Sequence, residues 1–136
     1  YLDSLTDYIS NNTLDQSVFI EEEVSQEDVI NYLSSSSLLV LPSISEGLGR
    51  VILEAQAVGC PVLVSDAGGM KDLIQHGETG FIFKSEDLED LAEKISYILD
   101  NDALRKSVSL SAKKELREYH DSNNFFNGYK EIFTKL

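Results

Sequence analysis

The chain has 136 residues, a formal net charge of −13 and a single cysteine. That length bounds it to one domain with a real core, and the acidic balance excludes nucleic acid or an anionic membrane as a partner held by general charge. Cys60 has no second cysteine to pair with, and no apolar run nears the ~20 residues of a membrane span, so the chain reads as cytosolic.

Leu2, Leu5, Ile9 and Leu14 form a helical stripe at the start, with no strand before it, the pattern of a fragment of a longer protein. Val18-Phe19-Ile20 reads as a short strand, and Glu21, Glu22 and Glu23 as a solvated loop. Ser25 is the expected N-cap of the next helix, with Asp28 at N3 in a near match to a capping box. Val29, Ile30 and Leu33 supply its apolar face, and it runs out in Ser34 to Ser37.

The stretch from Ser37 to Asp66 organises the chain. Leu38-Leu39-Val40-Leu41 is an unbroken apolar run stopped by Pro42, as expected of a parallel strand buried on both faces. A polar turn follows, Ser43 to Gly49, with glycines at 47 and 49. From about Leu48 the pattern is helical, with Leu48, Val51, Ile52, Ala55 and Val58 on one face. Gly59 closes the helix, Pro61 prevents its resumption, and Val62-Leu63-Val64 is the next strand. Such a unit points the free N–H groups of a helix tip into the crevice at the carboxyl edge of a sheet, where the macrodipole favours an anion. Glu46 and Glu54 bracket that tip. Glu54 lies roughly 7–8 Å along the axis from Gly49. Carboxylates accept paired hydrogen bonds from vicinal diols, so phosphate at the tip with hydroxylated rings on either side points to a sugar nucleotide.

Ser65-Asp66-Ala67-Gly68-Gly69 forms a second loop at the same edge, and a short helix is expected near Met70 with Leu73 and Ile74 inward. His76-Gly77-Glu78-Thr79-Gly80 is a turn, and Phe81-Ile82-Phe83 a fourth strand. A helix from Ser85 to Leu99, capped by Ser85 or Asp87, shows Leu88, Leu91, Ile95, Ile98 and Leu99 on one face. Asp102 caps a further helix with Leu104, Val108, Ala112 and Leu116 inward. Phe125, Phe126, Tyr129, Ile132 and Phe133 form a terminal aromatic stripe that needs a partner. Alternating strands and helices predict an α/β, Rossmann-like fold with a mostly parallel sheet. Val18–Ile20 then lacks a natural neighbour within the chain.

The run PSISEGLGRVILEAQAVGCPVLVSDAGGMKDLI, followed by HGETGFIF, closely resembles the donor-binding core of family-four retaining glycosyltransferases. The resemblance extends from about Val18 to the C-terminus and includes the E-x7-E motif, matched by Glu46 and Glu54. It implies the C-terminal half of a two-domain GT-B architecture, with the N-terminal acceptor domain absent here. It further implies that Glu46 contacts hydroxyls of the transferred sugar as the catalytic carboxylate, and that Glu54 holds the two ribose hydroxyls. Gly47, Leu48 and Gly49 would offer N–H groups to the diphosphate, flanked by Ser43, Arg50 and Val51. The reaction implied is retaining transfer from a nucleotide diphosphate sugar to a saccharide or lipid-linked acceptor, in polysaccharide or glycolipid synthesis. The acceptor would be held by the missing domain. No metal or other cofactor is implied, and the family's diphosphate-clamping arginine and lysine precede this segment. In the family, the backbone after the first strand lies beside the nucleotide base, and the last helix packs across to the other domain.

Each candidate also has a structural reading: Glu46 as a capping anion, Glu54 as a partner of Arg50, Ser43 as a turn cap, and the glycines as turn formers. Asp66, Asp72, His76 and His120 read as loop, structural or capping residues, and Cys60 as a small buried group. The competing classes are a sugar-nucleotide epimerase of the same architecture and a non-catalytic α/β binding or receiver-like module. A receiver would need clustered aspartates at strand ends, for which Asp66 is a lone candidate.

Overall fold

The computed structural model describes residues 2–43 and 49–119. Three strands, β1 (Leu39–Leu41), β2 (Val62–Ser65) and β3 (Phe81–Phe83), form a parallel sheet in that order. Leu39 pairs with Val62 and Leu63 with Phe81, so all three strands run out at one edge, at Pro42, Asp66 and Lys84. The helices are α1 (Leu2–Asn11), α2 (Gln26–Ser35), α3 (Arg50–Val58), α4 (Leu88–Leu99) and α5 (Asp102–Tyr119), with a 3₁₀ turn at Met70–Leu73.

Strand alternation divides the core in two. Val62 and Val64 face one side, where they meet Leu33 of α2, Ile52 and Ala55 of α3, and Met70 and Ile74. Leu63, Phe81 and Phe83 face the other, against Ile98 of α4 and Val108 of α5. Helices on both faces of a parallel sheet make the fold Rossmann-like. The two layers are tied by α5, which also contacts α3.

Local chemistry explains the ends of the helices. The Ser25 hydroxyl accepts the Asp28 N–H at 3.1 Å and donates to the Asp28 carboxylate at 2.6 Å, a reciprocal cap at the start of α2. Gly59 ends α3 with φ +86°, a conformation that suits glycine, and its N–H closes onto Ala55 O and Gln56 O. Asp87 caps α4 through the Asp90 N–H. Asp102 is the first residue of α5 and no cap; its carboxylate instead pairs with Arg105 and Lys106.

Several expectations are corrected. Val18-Phe19-Ile20 forms no strand, and Phe19 is 76% exposed. No strand lies beside it among the described residues, so its N–H and C=O groups have no ladder to join. Among the described residues the sheet accordingly has three strands, not four. Leu39–Leu41 is half-buried, because β1 forms an edge of this sheet, and only β2 is buried throughout. Leu88 and Leu99 of α4 are exposed, leaving Leu91, Ile95 and Ile98 as its packed face. Leu14 lies beyond α1, held by its N–H to Ile9 O at 2.9 Å. His120 and the aromatic stripe from Phe125 to Phe133 lie outside the described residues.

Candidate functional site

The tip of α3 opens at the carboxyl edge of the sheet. Gly49 precedes the first helical residue with φ −70° and ψ 87°, and no side chain among the described residues caps the helix. The Ile52 N–H returns to Gly49 O at 2.9 Å, and the first-turn donors ahead of it have no side-chain acceptor among the described residues. Gly49 is buried, and a Cβ there would lie 3.0 Å from Ile52 Cδ1 and 3.8 Å from Met70 Cγ. The glycine therefore lets the chain pass close over two core side chains. Glu46, Gly47 and Leu48 lie outside the described residues.

Glu54 stands one turn along α3, with its side chain 22% exposed. Its Oε1 accepts from Gln26 Nε2 at 3.2 Å and lies 3.6 Å from Arg50 Nη2. Both contacts fall on one oxygen, so Oε2 has no partner among the described residues. The pairing with Arg50 is present, but it is loose, and the arginine side chain is 80% exposed. Such a pair contributes little. A carboxylate that is partly exposed, held on one oxygen and without a described partner on the other, can accept hydrogen bonds from a ligand diol.

Ser43 is half-buried at the end of β1, and its carbonyl accepts the Ser65 hydroxyl. This bond joins the edges of β1 and β2 and fixes where the α3 loop begins. Val51 is half-buried in the first turn, packed on the cluster of α2 and α3. In the second loop Gly68 takes φ +65°, and Met70 after it is wholly buried. Asp66 behaves as a loop residue: its Oδ1 accepts the Ser85 N–H at 2.8 Å. His76 Nδ1 accepts the Ile82 N–H at 2.8 Å, an acceptor on the outer side of β3. Asp72 is exposed in the 3₁₀ turn. Cys60 is buried, and burial pushes its thiol pKa above the ordinary value despite the opposing backbone hydrogen bond of Leu39.

Ser43 thus ends β1 and Gly49 precedes α3 at the carboxyl edge of the sheet, and Arg50, Val51 and Glu54 follow on α3, with Arg50 and Glu54 in contact. Sequence reasoning missed Gln26 and Gln56. Gln26 is the first residue of α2, and it reaches Glu54 only because α2 packs against α3. No local pattern marks it. Gln56 is 5% exposed and donates from Nε2 to Thr79 O at 3.3 Å, joining α3 to the Gly77–Gly80 turn. Its signal was a polar residue on the inner face of an apolar helix. No group of three or more His, Cys, Asp or Glu suited to a metal occurs among the described residues, and none of their helices is long and apolar enough to cross a membrane.

Residues 1–115 match the sequence profile of the family described as Glycosyl transferases group 1. The chain belongs to the group 1 glycosyl transferases. Among its family relatives is the capsular polysaccharide biosynthesis glycosyltransferase CapM of Staphylococcus aureus, 32% identical over 107 residues, which are 79% of this chain and 28% of CapM. A solved glycosyltransferase from Rickettsia africae is 27% identical, with a TM-score of 0.88 over 98% of this chain and 36% of its own. HepE from Anabaena, solved in complex with UDP, shares the fold with a TM-score of 0.90 at 24% identity, over 100% of this chain and 37% of its own. The chain therefore spans about a fifth to a third of the length of the curated relatives it matches, and its fold is that of a Rossmann-like half of a GT-B glycosyltransferase.

Proposed function

We propose that this chain is the donor-binding domain of a retaining glycosyltransferase. The observation that carries the reading is the pairing of an α3 tip that no described side chain caps with Glu54, whose Oε2 has no partner among the described residues, at the carboxyl edge of the sheet in a group 1 family member. HepE with UDP-glucose bound supports a nucleotide sugar as donor. The diphosphate meets the N–H groups of Gly47, Leu48, Gly49 and the first turn of α3, with Ser43, Arg50 and Val51 around it. Glu54 accepts from the ribose hydroxyls, and Glu46 from hydroxyls of the transferred sugar.

The difficult step is departure of the diphosphate while positive charge builds on the sugar ring. Donors fixed at the helix tip lower that barrier by receiving the growing negative charge without reorganising. The two glutamates hold the ends of the donor so that the reacting bond is oriented. No step is assigned to a metal. Retention follows if the acceptor attacks the face that the diphosphate leaves, with the departing phosphate taking its proton. The acceptor, a saccharide or lipid-linked sugar, would be held by a second domain, and the names of relatives such as CapM support a role in polysaccharide synthesis. A lone buried cysteine supports a cytoplasmic setting.

The test is a thermal-shift screen of UDP-, GDP- and ADP-sugars on the chain, repeated with Glu54→Ala. One donor is expected to raise the melting temperature, and the variant to abolish the rise. An equal rise in the variant removes Glu54 from the site. The chain alone is expected to bind weakly and transfer nothing; measured transfer by the 136 residues would contradict the two-domain reading.

A further inference from the structure

The amino edge of the sheet, opposite the edge where α3 begins, carries a groove of about 480 Å³. Its walls are the turn before β1 at Ser36 and Ser37, the turn after α3 at Gly59 and Pro61, and one face of α5. We propose that this groove is a second anion site, built for the phosphate of a small phosphorylated ligand.

The charge balance singles it out. Arg105, Lys106 and Lys113 line it against one carboxylate, Asp102, in a chain whose formal net charge is −13. Arg105 is committed elsewhere: Nη1 donates to Ile98 O and Leu99 O at the end of α4, and Nη2 to Asp102. Lys106 shares Asp102, at 2.6 Å. Lys113 has no hydrogen-bond or ion-pair partner among the described residues. Its Nζ lies over the Gly59 turn, 3.4 Å from where a Cβ on Gly59 would lie.

The hydroxyls agree with the charges. Ser34, Ser35 and Ser36 turn back to carbonyls of α2, Ser36 to Tyr32 O at 2.7 Å. Ser37 breaks that pattern, and neither its hydroxyl nor that of Ser109 has a partner among the described residues. Lys106, Ser109 and Lys113 share one face of α5, and the two lysine backbones stand about 10 Å apart. A phosphate between them would take ammonium and hydroxyl donors together. The groove is larger than a bare phosphate needs and falls in the range of small-molecule sites. Val58, Pro61 and Leu110, the last 69% exposed, offer apolar surface to the organic remainder. A purely structural role for Lys113, as a cation neutralising the C-terminal dipole of α3, predicts stability effects without ligand effects.

Inorganic phosphate is titrated into the ¹⁵N-labelled chain at constant ionic strength, and amide shifts are read residue by residue. This separates the groove (Ser37, Gly59, Ser109) from the α3 tip (Gly49, Arg50), so failure here is distinguishable from failure of the donor site. Saturable shifts at the groove are expected, weakened about tenfold or more in the Lys106→Gln/Lys113→Gln double variant. Lys114→Gln removes one positive charge from the same helix outside the groove and should leave them unchanged. Vesicles of phosphatidylglycerol and phosphatidylcholine form the second arm. Sedimentation lost in the double variant supports the site with a lipid headgroup as source; groove saturation without sedimentation supports a soluble ligand. Neither groove shifts nor sedimentation, shifts equal in the double variant, or a variant that loses only stability would overturn the proposal.

Discussion

Gly80 should be among the positions least tolerant of even a methyl group. It lies at the start of β3, and a Cβ there would fall 2.7 Å from Ile74 Cδ1, 2.8 Å from Val62 Cγ2 and 2.9 Å from Ile74 Cγ2. Carbon atoms rest at about 3.5–4.0 Å, so three contacts would be short by roughly 1 Å. Ile74 can swing its Cδ1, but Val62 is wholly buried in the central strand and β-branched, with little freedom to yield. Overpacking of this kind costs about 1–3 kcal/mol. For a chain of this size that is a fall of about 4–12 °C in melting temperature. The turn also holds Thr79, whose carbonyl receives Gln56 of α3, so the shift reaches toward the donor helix. Calorimetry of Gly80→Ala measures it. A melting temperature within a degree of the parent would mean that β3 and the Ile74 layer are not packed as described.

Other consequences are read more simply. Cys60 is buried and its thiol pKa is raised, so native protein should resist thiol reagents at neutral pH and react only on unfolding; prompt native labelling would contradict its burial. Three carboxyls titrate below the ordinary value: Asp87 chiefly through the Asp90 N–H, Asp90 chiefly through Lys94, and Asp102 chiefly through Lys106. Depressed folded-state values mean that their stabilisation is present above the unfolded pKa, about 4, and is lost as pH falls through the folded values. The urea midpoint should therefore drop on acidification below about pH 4, and less so in Asp87→Asn/Asp90→Asn. An equal drop in that variant would assign the acid sensitivity to other groups. Ile52→Ala removes a fully buried side chain from the first turn of α3 and should cost about 2–5 kcal/mol, read by denaturant unfolding.

The central unit was legible because its signals are local. Gly59 and Pro61 mark the end of α3 whatever surrounds them, and Val62-Leu63-Val64 is too apolar to be anything but a buried strand. The reading failed where a residue's fate depends on a neighbour. Val18-Phe19-Ile20 has strand chemistry but no strand to pair with in this structure. Leu88 continues a helical stripe one turn past the surface that covers it. At the site, Glu54 could be found by spacing, whereas its contact with Gln26 depends on how α2 packs on α3. The capacity of the Lys113 groove was likewise invisible, since its parts come from positions 36 to 113.

The central claim is that Glu54 receives the ribose hydroxyls of a nucleoside diphosphate held at the α3 tip. Calorimetric titration with the nucleotide chosen by the donor screen and with its 2′-deoxy form, on the parent and on Glu54→Ala, tests it most directly. A hydrogen bond to a charged acceptor is worth about 1.5–3 kcal/mol, so the parent should lose roughly tenfold or more on the deoxy ligand, and the variant should bind both alike. The same deoxy penalty in parent and variant would show that the ribose is held elsewhere.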